Sequence, residues 1–353
     1  MATVLTADDR LLVLGGSGFI GSHLPRQLAR LGIEFDTFDL YPFDPVPGAP
    51  LPRRQTIGDV RDLGALTRAM EGCTAVLNLA AAHHDFGIPP ATFESVNVGG
   101  AHNVVAAMQA HGITNLCFYS SVAVYGSGHD VPPDETTPPA PENDYGRTKL
   151  AAEGVYRAWQ ADGEERRLLT IRPAVVFGPR NFANVYRLIR QIDRRRFVPV
   201  GPGRNRKSMA YVTNLVEAIL HVWTRPPGDV RTDGFEVYNY ADKPDLTSRE
   251  VVSVVYRSLG RREPGLRLPL APAVWAAKPF DLVAHLTGRN LPITSDRIRK
   301  LSDAETSFGA DRIRATGFTP RISLVDGLRR MVGWYRDQGR DAAHVDHLPP
   351  EQP

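Results

Sequence analysis

The stretch Leu11-Leu-Val-Leu-Gly15-Gly-Ser-Gly18-Phe-Ile-Gly21 decides the fold class of this chain. A short apolar run leads into glycines at positions 15, 18 and 21, and a helical pattern follows as far as Leu31. Glycines at this spacing allow a tight turn, let backbone N–H groups approach a pyrophosphate, and let the helix pack close to the strand. Because the loop joins a predicted strand to a predicted helix, it predicts a dinucleotide-binding site.

An acidic residue ends the second predicted strand. Asp39 follows Phe35-Asp-Thr-Phe38, at about the distance of 20 residues from the glycine loop that dinucleotide-binding folds use. A carboxylate there accepts hydrogen bonds from the ribose 2′-OH and repels a 2′-phosphate, so we predict NAD and not NADP. The alternative for Asp39 is a solvated loop residue.

Short apolar runs alternate with helical patterns through the first half of the chain. This alternation predicts an α/β fold with a doubly wound parallel sheet, the Rossmann architecture. Further strands are predicted at residues 74–79, 115–120 and 169–177, and helices at 21–31, 63–70, 92–111 and 145–161.

The alternation breaks down after Pro179, although one more strand and helix are predicted at 209–223. We therefore predict two domains and a tail. The NAD-binding domain comprises residues 1–180 plus about 208–240. A smaller C-terminal α/β substrate domain comprises 181–207 plus 241–335, and 336–353 form a mobile tail.

Bulk composition excludes several classes of function. Lysine and arginine total 42 against 39 acidic residues, so a nucleic-acid partner is not expected. Cys73 and Cys117 lie in apolar runs, which predicts free buried thiols and a cytoplasmic location. We also expect neither a secretion signal nor membrane insertion. The apolar stretch 266–286 is interrupted by prolines and charges, and it predicts a helix and loop of the second domain, with membrane-surface docking as the alternative.

The stretch Tyr145-Gly-Arg-Thr-Lys149 places a phenol and an ammonium four residues apart on one helix face. A cation beside a tyrosine favours the phenolate, which can then act as acid/base on an alcohol. Alone the pair is a weak signal, because Tyr and Lys often occur at this spacing on solvated helices. Its order relative to the other motifs makes it informative.

The chain resembles the extended short-chain dehydrogenases/reductases, and within them the NAD-dependent epimerase/dehydratase family. The resemblance runs from about Leu11 to Trp334, and it implies NAD as cofactor and a homodimer formed through the helices 92–111 and 145–161. It is carried by the glycine loop and by Asp59-Val-Arg-Asp62, Asn78-Leu-Ala-Ala81, Tyr119-Ser-Ser-Val-Ala-Val-Tyr-Gly126, Tyr145-x-x-x-Lys149 and Arg172-Pro-x-x-Val-Phe-Gly-Pro179.

The resemblance also assigns catalytic roles. Tyr145 would remove the proton of a secondary alcohol while hydride passes to the nicotinamide. Lys149 would bind the nicotinamide ribose and lower the phenol pKa. Ser121, with Ser120 as the alternative, would hydrogen-bond the substrate oxygen.

Further positions match the family's binding residues. The resemblance implies cofactor contacts from Gly15, Gly18, Phe19, Ile20, Gly21, Asp39, Asp59, Val60, Leu79, Ala80, Ala81, Asn97, Tyr145 and Lys149. It implies a nucleotide-sugar substrate, held by His83, Ser121, Asn184, Lys207 and Arg299. The turn containing Arg204 and Arg206 is otherwise a solvated basic surface. His84 follows His83, but no cysteine or acidic cluster accompanies them at ligand spacing, so no metal is expected.

The reaction type depends on two small residues. Sugar 4,6-dehydratases carry an Asp-Glu pair after the active-site hydroxyl, where this chain has Val122-Ala123. We therefore predict C4 epimerisation of a UDP-sugar through a transient 4-keto intermediate. The alternative is a dehydrogenase or reductase of a secondary alcohol, similar to 3β-hydroxysteroid dehydrogenases, and the intact Ser, Tyr and Lys disfavour a non-catalytic protein. Val175 replaces an asparagine of UDP-galactose 4-epimerases, which leaves the sugar open.

Overall fold

The computed structural model of the chain describes residues 4–83, 88–225, 234–272, 274–275, 278 and 306–342. The described residues include ten strands: β1 Arg10–Leu14, β2 Glu34–Asp39, β3 Gln55–Ile57, β4 Ala75–Asn78, β5 Asn115–Tyr119, β6 Arg167–Pro173, β7 Val175–Phe177, β8 Arg206–Tyr211, β9 Phe235–Tyr240 and β10 Asp242–Thr247. The helices used below are α1 Pro25–Arg30, α2 Leu63–Ala69, α3 Pro90–Phe93, α4 Gly100–Ala110, α5 Asp144–Ala161, α6 Asn184–Asp193, α7 Val212–Trp223, α8 Ser248–Ser258, α9 Asp311–Ala315 and α10 Leu324–Trp334.

Seven strands form the main sheet, in the order β3-β2-β1-β4-β5-β6-β9, and every pairing is parallel. Strands buried on both faces read as continuous apolar runs, as the Leu-Leu-Val-Leu of β1 does. The predicted fold class is confirmed by this doubly wound sheet.

Helices cover both faces of the main sheet. On one face α1 and α7 bury Leu28, Leu215 and Trp223 against the strands. On the other face α2, α4 and α5 bury apolar side chains such as Met108 and Tyr156. Since each face is sealed by helices, access to the sheet is left at the strand ends.

The strand order reverses between β1 and β4, because the crossovers from these strands run to opposite sides. Ligands of open α/β sheets bind outside the carboxyl ends of the strands at such a point. Here Leu79, just past β4, donates its N–H to the carbonyl of Leu14 at 2.9 Å. The glycine loop and the end of β4 therefore meet at the predicted cofactor position.

A second, three-stranded sheet has the order β10-β8-β7. With α6, α8 and α10 it encloses a separate core that includes Ile189, Val255 and Met331. Only Ala174 separates β6 from β7, and only Ala241 separates β9 from β10. The main sheet thus passes directly into the second sheet at the carboxyl ends of two neighbouring strands.

Some element boundaries differ from the predictions. The single strand predicted at 169–177 is two strands in different sheets, because the chain changes direction at Ala174. Strand β8 belongs to the second sheet, although its sequence falls mainly in the part predicted as the NAD-binding domain, while α7 packs on the main sheet. The division into two domains remains a prediction.

Residues predicted as the start of a mobile tail continue α10 as a π-helix, Tyr335–Gly339. The Tyr186 hydroxyl donates to the carbonyl of Gly339 at 2.9 Å, and Arg340 pairs with Asp193 at 3.2 Å. These contacts attach the segment as far as Arg340 to the second core. Among the described helices, none combines the length and the apolar composition that a membrane span needs.

Candidate active site

The glycine loop has the geometry that its sequence predicts. Gly15 has φ +75°, and a Cβ at this position would lie 2.7 Å from the backbone nitrogen of Ala80. A Cβ on Gly21 would lie 2.3 Å from the carbonyl oxygen of Gly16. Side chains would therefore force the loop away from β4 and the following helix away from β1. This close-packed turn suits the pyrophosphate of a dinucleotide.

Asp39 lies beside this loop at the end of β2. Its carboxylate accepts hydrogen bonds from the backbone N–H groups of Ser17, at 2.8 Å, and Tyr41, at 3.4 Å. The Ser17 hydroxyl donates to the carbonyl of Tyr41 at 2.7 Å. These bonds fix the acid at the edge where the adenosine ribose is predicted to lie.

The predicted adenine contacts, Asp59 and Val60, follow β3. Arg61 holds the Asp59 carboxylate through both oxygens, with Nε at 3.0 Å and Nη2 at 2.7 Å. Asn103 on α4 donates to the carbonyl of Val60 at 3.1 Å. The structure thus gives both residues fixed positions within the protein, and their contact with adenine remains a prediction.

The end of β4 is held by a chain of buried polar groups. The amide of Asn78 accepts from the N–H of Ala80 at 3.0 Å and donates to the hydroxyl of Tyr156 at 2.7 Å. Leu79, Ala80 and Ala81 are half-buried along this edge. Their small or apolar side chains are compatible with the predicted cofactor surface.

Asn97 occupies a π-helical turn, Glu94–Gly99, between α3 and α4. Its side chain accepts from the N–H of Ala82 at 2.8 Å and donates to the carbonyl of Ala82 at 3.1 Å and to Thr148 Oγ1 at 2.9 Å. It therefore ties the loop after β4 to α5, one residue from Lys149. The role that the contacts support is positioning, and direct contact with the cofactor remains a prediction.

Ser121 follows β5 and caps a short 3-10 helix, Val122–Tyr125, by accepting the N–H of Ala123 at 3.1 Å. Ser120 is buried, and its hydroxyl has no hydrogen-bond partner in the described part of the chain. Successive residues at a strand end point to opposite sides. The half-exposed Ser121 is therefore better placed than Ser120 to meet a substrate.

The first turn of helix α5, which carries Tyr145, packs on the segment that follows Ser121. Its N-cap, Asn143, accepts the N–H of Gly146 at 2.7 Å. A Cβ on Gly146 would lie 2.4 Å from the carbonyl oxygen of Ala123, so glycine lets the first turn of α5 rest on the segment that follows Ser121. Tyr145, in the same turn, is half-buried at this junction.

Lys149 lies one turn further along α5 and is almost fully buried. Its Nζ lies 4.3 Å from the centre of the Phe118 ring. Burial lowers the pKa of Lys149 to about 7, and the negative charge of Glu153 opposes this decrease. The structure thus holds a desolvated amine one helical turn from the proposed acid/base, where ribose hydroxyls of a bound nucleotide would provide it with acceptors.

Four residues without a predicted role form a hydrogen-bonded network that includes Glu153, the acid whose charge acts on this amine. Arg172 on β6 donates to both carboxylate oxygens of Glu153, at 2.9 and 2.6 Å, and to the hydroxyl of Tyr125 at 2.8 Å. That hydroxyl donates in turn to Asn239 at 2.8 Å. Glu153 lies four residues after Lys149, so helical spacing alone could have predicted that the two side chains are neighbours. The pairing of Glu153 with Arg172, in contrast, depends on the fold.

Two of the predicted substrate residues, Asn184 and Lys207, belong to the second sheet and its helices, whereas His83 and Ser121 follow strands of the main sheet. Asn184 is the exposed first residue of α6, and Lys207 is half-buried in β8, where burial lowers its pKa. His83 is exposed, and its Nδ1 lies 3.3 Å from the carbonyl of Ala81. Arg299 and His84 lie outside the described residues. Within the described chain, no cluster of His, Cys, Asp and Glu has the arrangement of a metal site.

The doubly wound sheet, the glycine loop at its reversal point and the Tyr145–Lys149 turn beside Ser121 define an NAD-dependent enzyme of the short-chain dehydrogenase/reductase class. Residues 11–239 match the NAD dependent epimerase/dehydratase family. The chain belongs to this family, and it is an NAD-dependent epimerase.

Three known proteins illustrate the relationship. An N-acetyl-alpha-D-glucosaminyl-diphospho-ditrans,octacis-undecaprenol 4-epimerase of Escherichia coli O157:H7 is 40% identical over 327 residues, which cover 92% of this chain and 95% of the relative. The structure of MoeE5 in complex with UDP-glucose and NAD is 27% identical with a TM-score of 0.70, covering 93% of this chain and 98% of its own. A UDP-glucose 4-epimerase of Thermotoga maritima, solved with UDP-glucose, is 21% identical with a TM-score of 0.72, covering 93% and 98%.

Proposed function

We propose that this protein inverts C4 of a sugar that is linked through a diphosphate to a carrier. The observation that carries the proposal is the close packing of the first turn of α5, which carries Tyr145, on the segment that follows Ser121, with the buried amine of Lys149 one turn further along the helix. The glycine loop, Asp39 and Lys149 would hold NAD, which would supply reversible hydride transfer at C4.

Each residue of this junction has a defined role in the proposed reaction. Tyr145, as phenolate, removes the proton of the C4 hydroxyl and later returns it. Lys149 favours the phenolate through its charge and holds the nicotinamide ribose. Ser121 donates a hydrogen bond to the C4 oxygen as it becomes a ketone. Only one acid/base is needed, because the forward and reverse hydride transfers use the same atoms.

The residues after Ser121 disfavour elimination of water. Val122 is buried and Ala123 has no functional group, so neither side chain can act as acid or base at the neighbouring carbons. A dehydratase needs such groups to remove a proton and expel hydroxide. This favours epimerisation over dehydration.

Two carriers are candidates, and both present a diphosphate. UDP is the predicted carrier, and MoeE5 and the Thermotoga maritima epimerase were solved with UDP-sugars. A polyprenol is favoured by the Escherichia coli relative, because its 40% identity extends over nearly the whole of both chains. For either carrier, we propose that Asn184, Lys207 and Arg299 contact the diphosphate.

The decisive experiment supplies no cofactor. Purified protein is incubated with UDP-glucose, UDP-N-acetylglucosamine and N-acetylglucosamine diphosphate linked to a short, water-soluble prenol, and C4 epimers are measured by NMR. We expect conversion with cofactor that co-purifies. The Tyr145→Phe variant should be inactive, while Ser95→Ala, which removes a half-buried hydroxyl of the π-helical turn, serves as the control.

Two results would contradict this proposal. One is absence of conversion across the panel. The other is release of NADH in proportion to an oxidised product, which is the behaviour of a dehydrogenase. Retention of deuterium placed at C4 of the substrate would support internal return of the same hydride.

We also propose a homodimer, formed through α4 and α5. On α5, exposed Ala151, Gly154 and Ala158 fall at spacings that share one helix face, which permits close approach of another helix. Light scattering should give twice the chain mass, and Ala158→Arg should give a monomer. A monomeric wild type at micromolar concentration would contradict the dimer.

The free, buried Cys73 and Cys117 support the cytoplasmic location that we propose.

A further inference from the structure

Two segments of the second half of the chain form a surface that is both basic and apolar. Gly201 donates its N–H to the carbonyl of Leu268 at 2.9 Å, and Leu268 donates to the carbonyl of Pro199 at 3.0 Å. These bonds place segment 194–206 beside segment 261–278. We call the surface formed by the described residues of the two segments the basic-apolar face.

The basic-apolar face exposes large hydrophobic side chains. Val198 is 55%, Leu266 88%, Leu268 50% and Trp275 73% exposed. These four are among ten exposed large hydrophobic side chains in the described residues. Leu266 and Leu268 are two residues apart, next to the bridge to Val200, so both can project to one side of an extended segment. Exposed large hydrophobic side chains on two adjoining segments indicate an interaction surface.

The same face is strongly cationic. Segments 194–206 and 261–278 contain nine arginine or lysine residues and a single acid, Glu263, although the net charge of the whole chain is only +3. Arg194, Arg204 and Arg262 are exposed. Lys278 lies 5.0 Å from the centre of the Trp275 ring, which joins a cation to the most bulky apolar group. Exposed apolar groups flanked by cations match an anionic bilayer surface, which offers acyl chains beneath negative headgroups.

The basic-apolar face adjoins the predicted diphosphate site along the chain, and this position indicates a function for it. Segment 194–206 runs directly into β8, whose second residue is Lys207. A sugar diphosphate on a polyprenol stays at headgroup level, because its hydrocarbon chain stays in the bilayer. An enzyme acting on it must bring its site to that surface.

We propose that the basic-apolar face docks the enzyme on anionic membranes, with Val198, Leu266, Leu268 and Trp275 entering the interface and the arginines contacting lipid phosphates. This inference rests on the proposed function, and it selects the polyprenol as the carrier. Docking of this kind needs no membrane-spanning helix, because the apolar side chains enter only the boundary between headgroups and acyl chains.

The first test measures binding of the full-length protein to vesicles by flotation. We expect binding to phosphatidylcholine mixed with phosphatidylglycerol, weak binding to phosphatidylcholine alone, and loss of binding at high salt. The variant Arg194→Ala with Arg262→Ala should bind about 25-fold more weakly, at about fivefold per arginine. Leu266→Ser with Trp275→Ser should bind at least about tenfold more weakly.

Matched controls come from elsewhere on the surface. Leu51→Ser with Val131→Ser removes equally exposed apolar groups, and Arg30→Ala with Arg314→Ala removes exposed cations. Both controls should bind like the wild type. Thermal unfolding of all variants should be unchanged, because the substituted side chains are exposed. Equal binding by the face variants and the controls would overturn the proposal.

Tryptophan fluorescence gives an independent readout. Trp275 is exposed, whereas Trp159 and Trp223 are buried. Anionic vesicles should shift the emission of the wild type to shorter wavelength, and Trp275→Phe should keep binding while losing most of this shift. Binding without any shift in the wild type would place Trp275 outside the interface and contradict the proposed geometry.

Activity separates failure of docking from failure of the proposed function. The face variants should turn over the water-soluble prenyl substrate at the wild-type rate but lose at least about tenfold with polyprenyl substrate in anionic vesicles. Equal rates with both substrates would refute docking and leave the epimerase intact. Inactivity of the wild type with every substrate, together with vesicle binding, would refute the proposed function and leave docking intact. Face-dependent self-association or DNA binding without vesicle binding would assign the surface to another partner and refute the proposal.

Discussion

Replacing Lys149 by methionine should stabilise the NAD-free protein at neutral pH while abolishing its activity. Burial lowers the pKa of this amine from 10.5 to about 7. A difference of that size corresponds to at most about 5 kcal/mol of unfolding free energy. Methionine loses the attraction of the ammonium to Glu153 and to the Phe118 ring, which offsets part of the gain. We expect a net stabilisation of about 2 kcal/mol.

The pH dependence distinguishes this cause from improved packing. Between pH 7 and 10.5 the unfolded chain keeps the proton on Lys149 and the native protein releases it. Wild-type stability therefore rises with pH across this window, because the unfolded state binds more protons. The cost of burying the amine is complete below pH 7 and absent above pH 10.5. The advantage of Lys149→Met should accordingly be largest at pH 7 and below, and it should shrink as the pH rises.

Denaturant unfolding of the NAD-free protein, followed by circular dichroism, measures both effects. The control is Lys243→Met, because this lysine pairs with Asp245 at 2.8 Å and should destabilise the protein at every pH when lost. NAD should stabilise the wild type more than Lys149→Met, since only the wild type offers an amine to the ribose. The reasoning is refuted if Lys149→Met is less stable than the wild type at pH 7, or if its advantage does not change with pH.

Three further predictions follow from the site. Tyr145→Phe should lower kcat by about 1000-fold or more with NAD still bound, because the proton acceptor is lost; near-normal turnover would remove the assignment. Gly15→Ala should reduce the NAD content of purified protein at least about tenfold, because its Cβ would lie 2.7 Å from the nitrogen of Ala80; an unchanged content would place the cofactor elsewhere. Arg172→Met should lower the unfolding free energy by about 3 kcal/mol, because Glu153 is left buried and unpaired, and the double variant with Glu153→Gln should recover most of it; additive losses in urea unfolding would show that the pair is not coupled.

Local patterns were sufficient to predict five of the seven strands of the main sheet, β1, β2, β4, β5 and β6. The apolar runs of β1, β2, β4 and β5 and the glycine loop each carry their signal within a few consecutive residues. Strand β3 has an exposed, polar sequence, Gln55–Ile57, and β9 and β10 lie outside the regular alternation. These strands escaped prediction because partners distant in sequence, not their own periodicity, hold them in place.

Part of the candidate site was also predictable, because some of its residues lie in short local motifs. Tyr145, Lys149 and Ser121 belong to short motifs, and Glu153 follows Lys149 at helical spacing. In contrast, the bonds from Asn97 to Ala82 and Thr148 cross 15 and 51 residues of chain. No local pattern encodes such contacts, because they exist only after the π-helical turn and α5 are packed on the sheet.

The sequence by itself determined the fold class and the cofactor and predicted the reacting groups, since each depends on residue types at short spacings. Only the tertiary structure decided how those groups behave. The pKa of Lys149 falls because packing of α5 on β5 removes water from the amine, and Gly146 lets that helix rest on Ala123, two residues after Ser121. The juxtaposition of exposed apolar side chains with arginines is likewise a property of the folded surface, since the bridge between Val200 and Leu268 joins segments 194–206 and 261–278, which are distant in sequence.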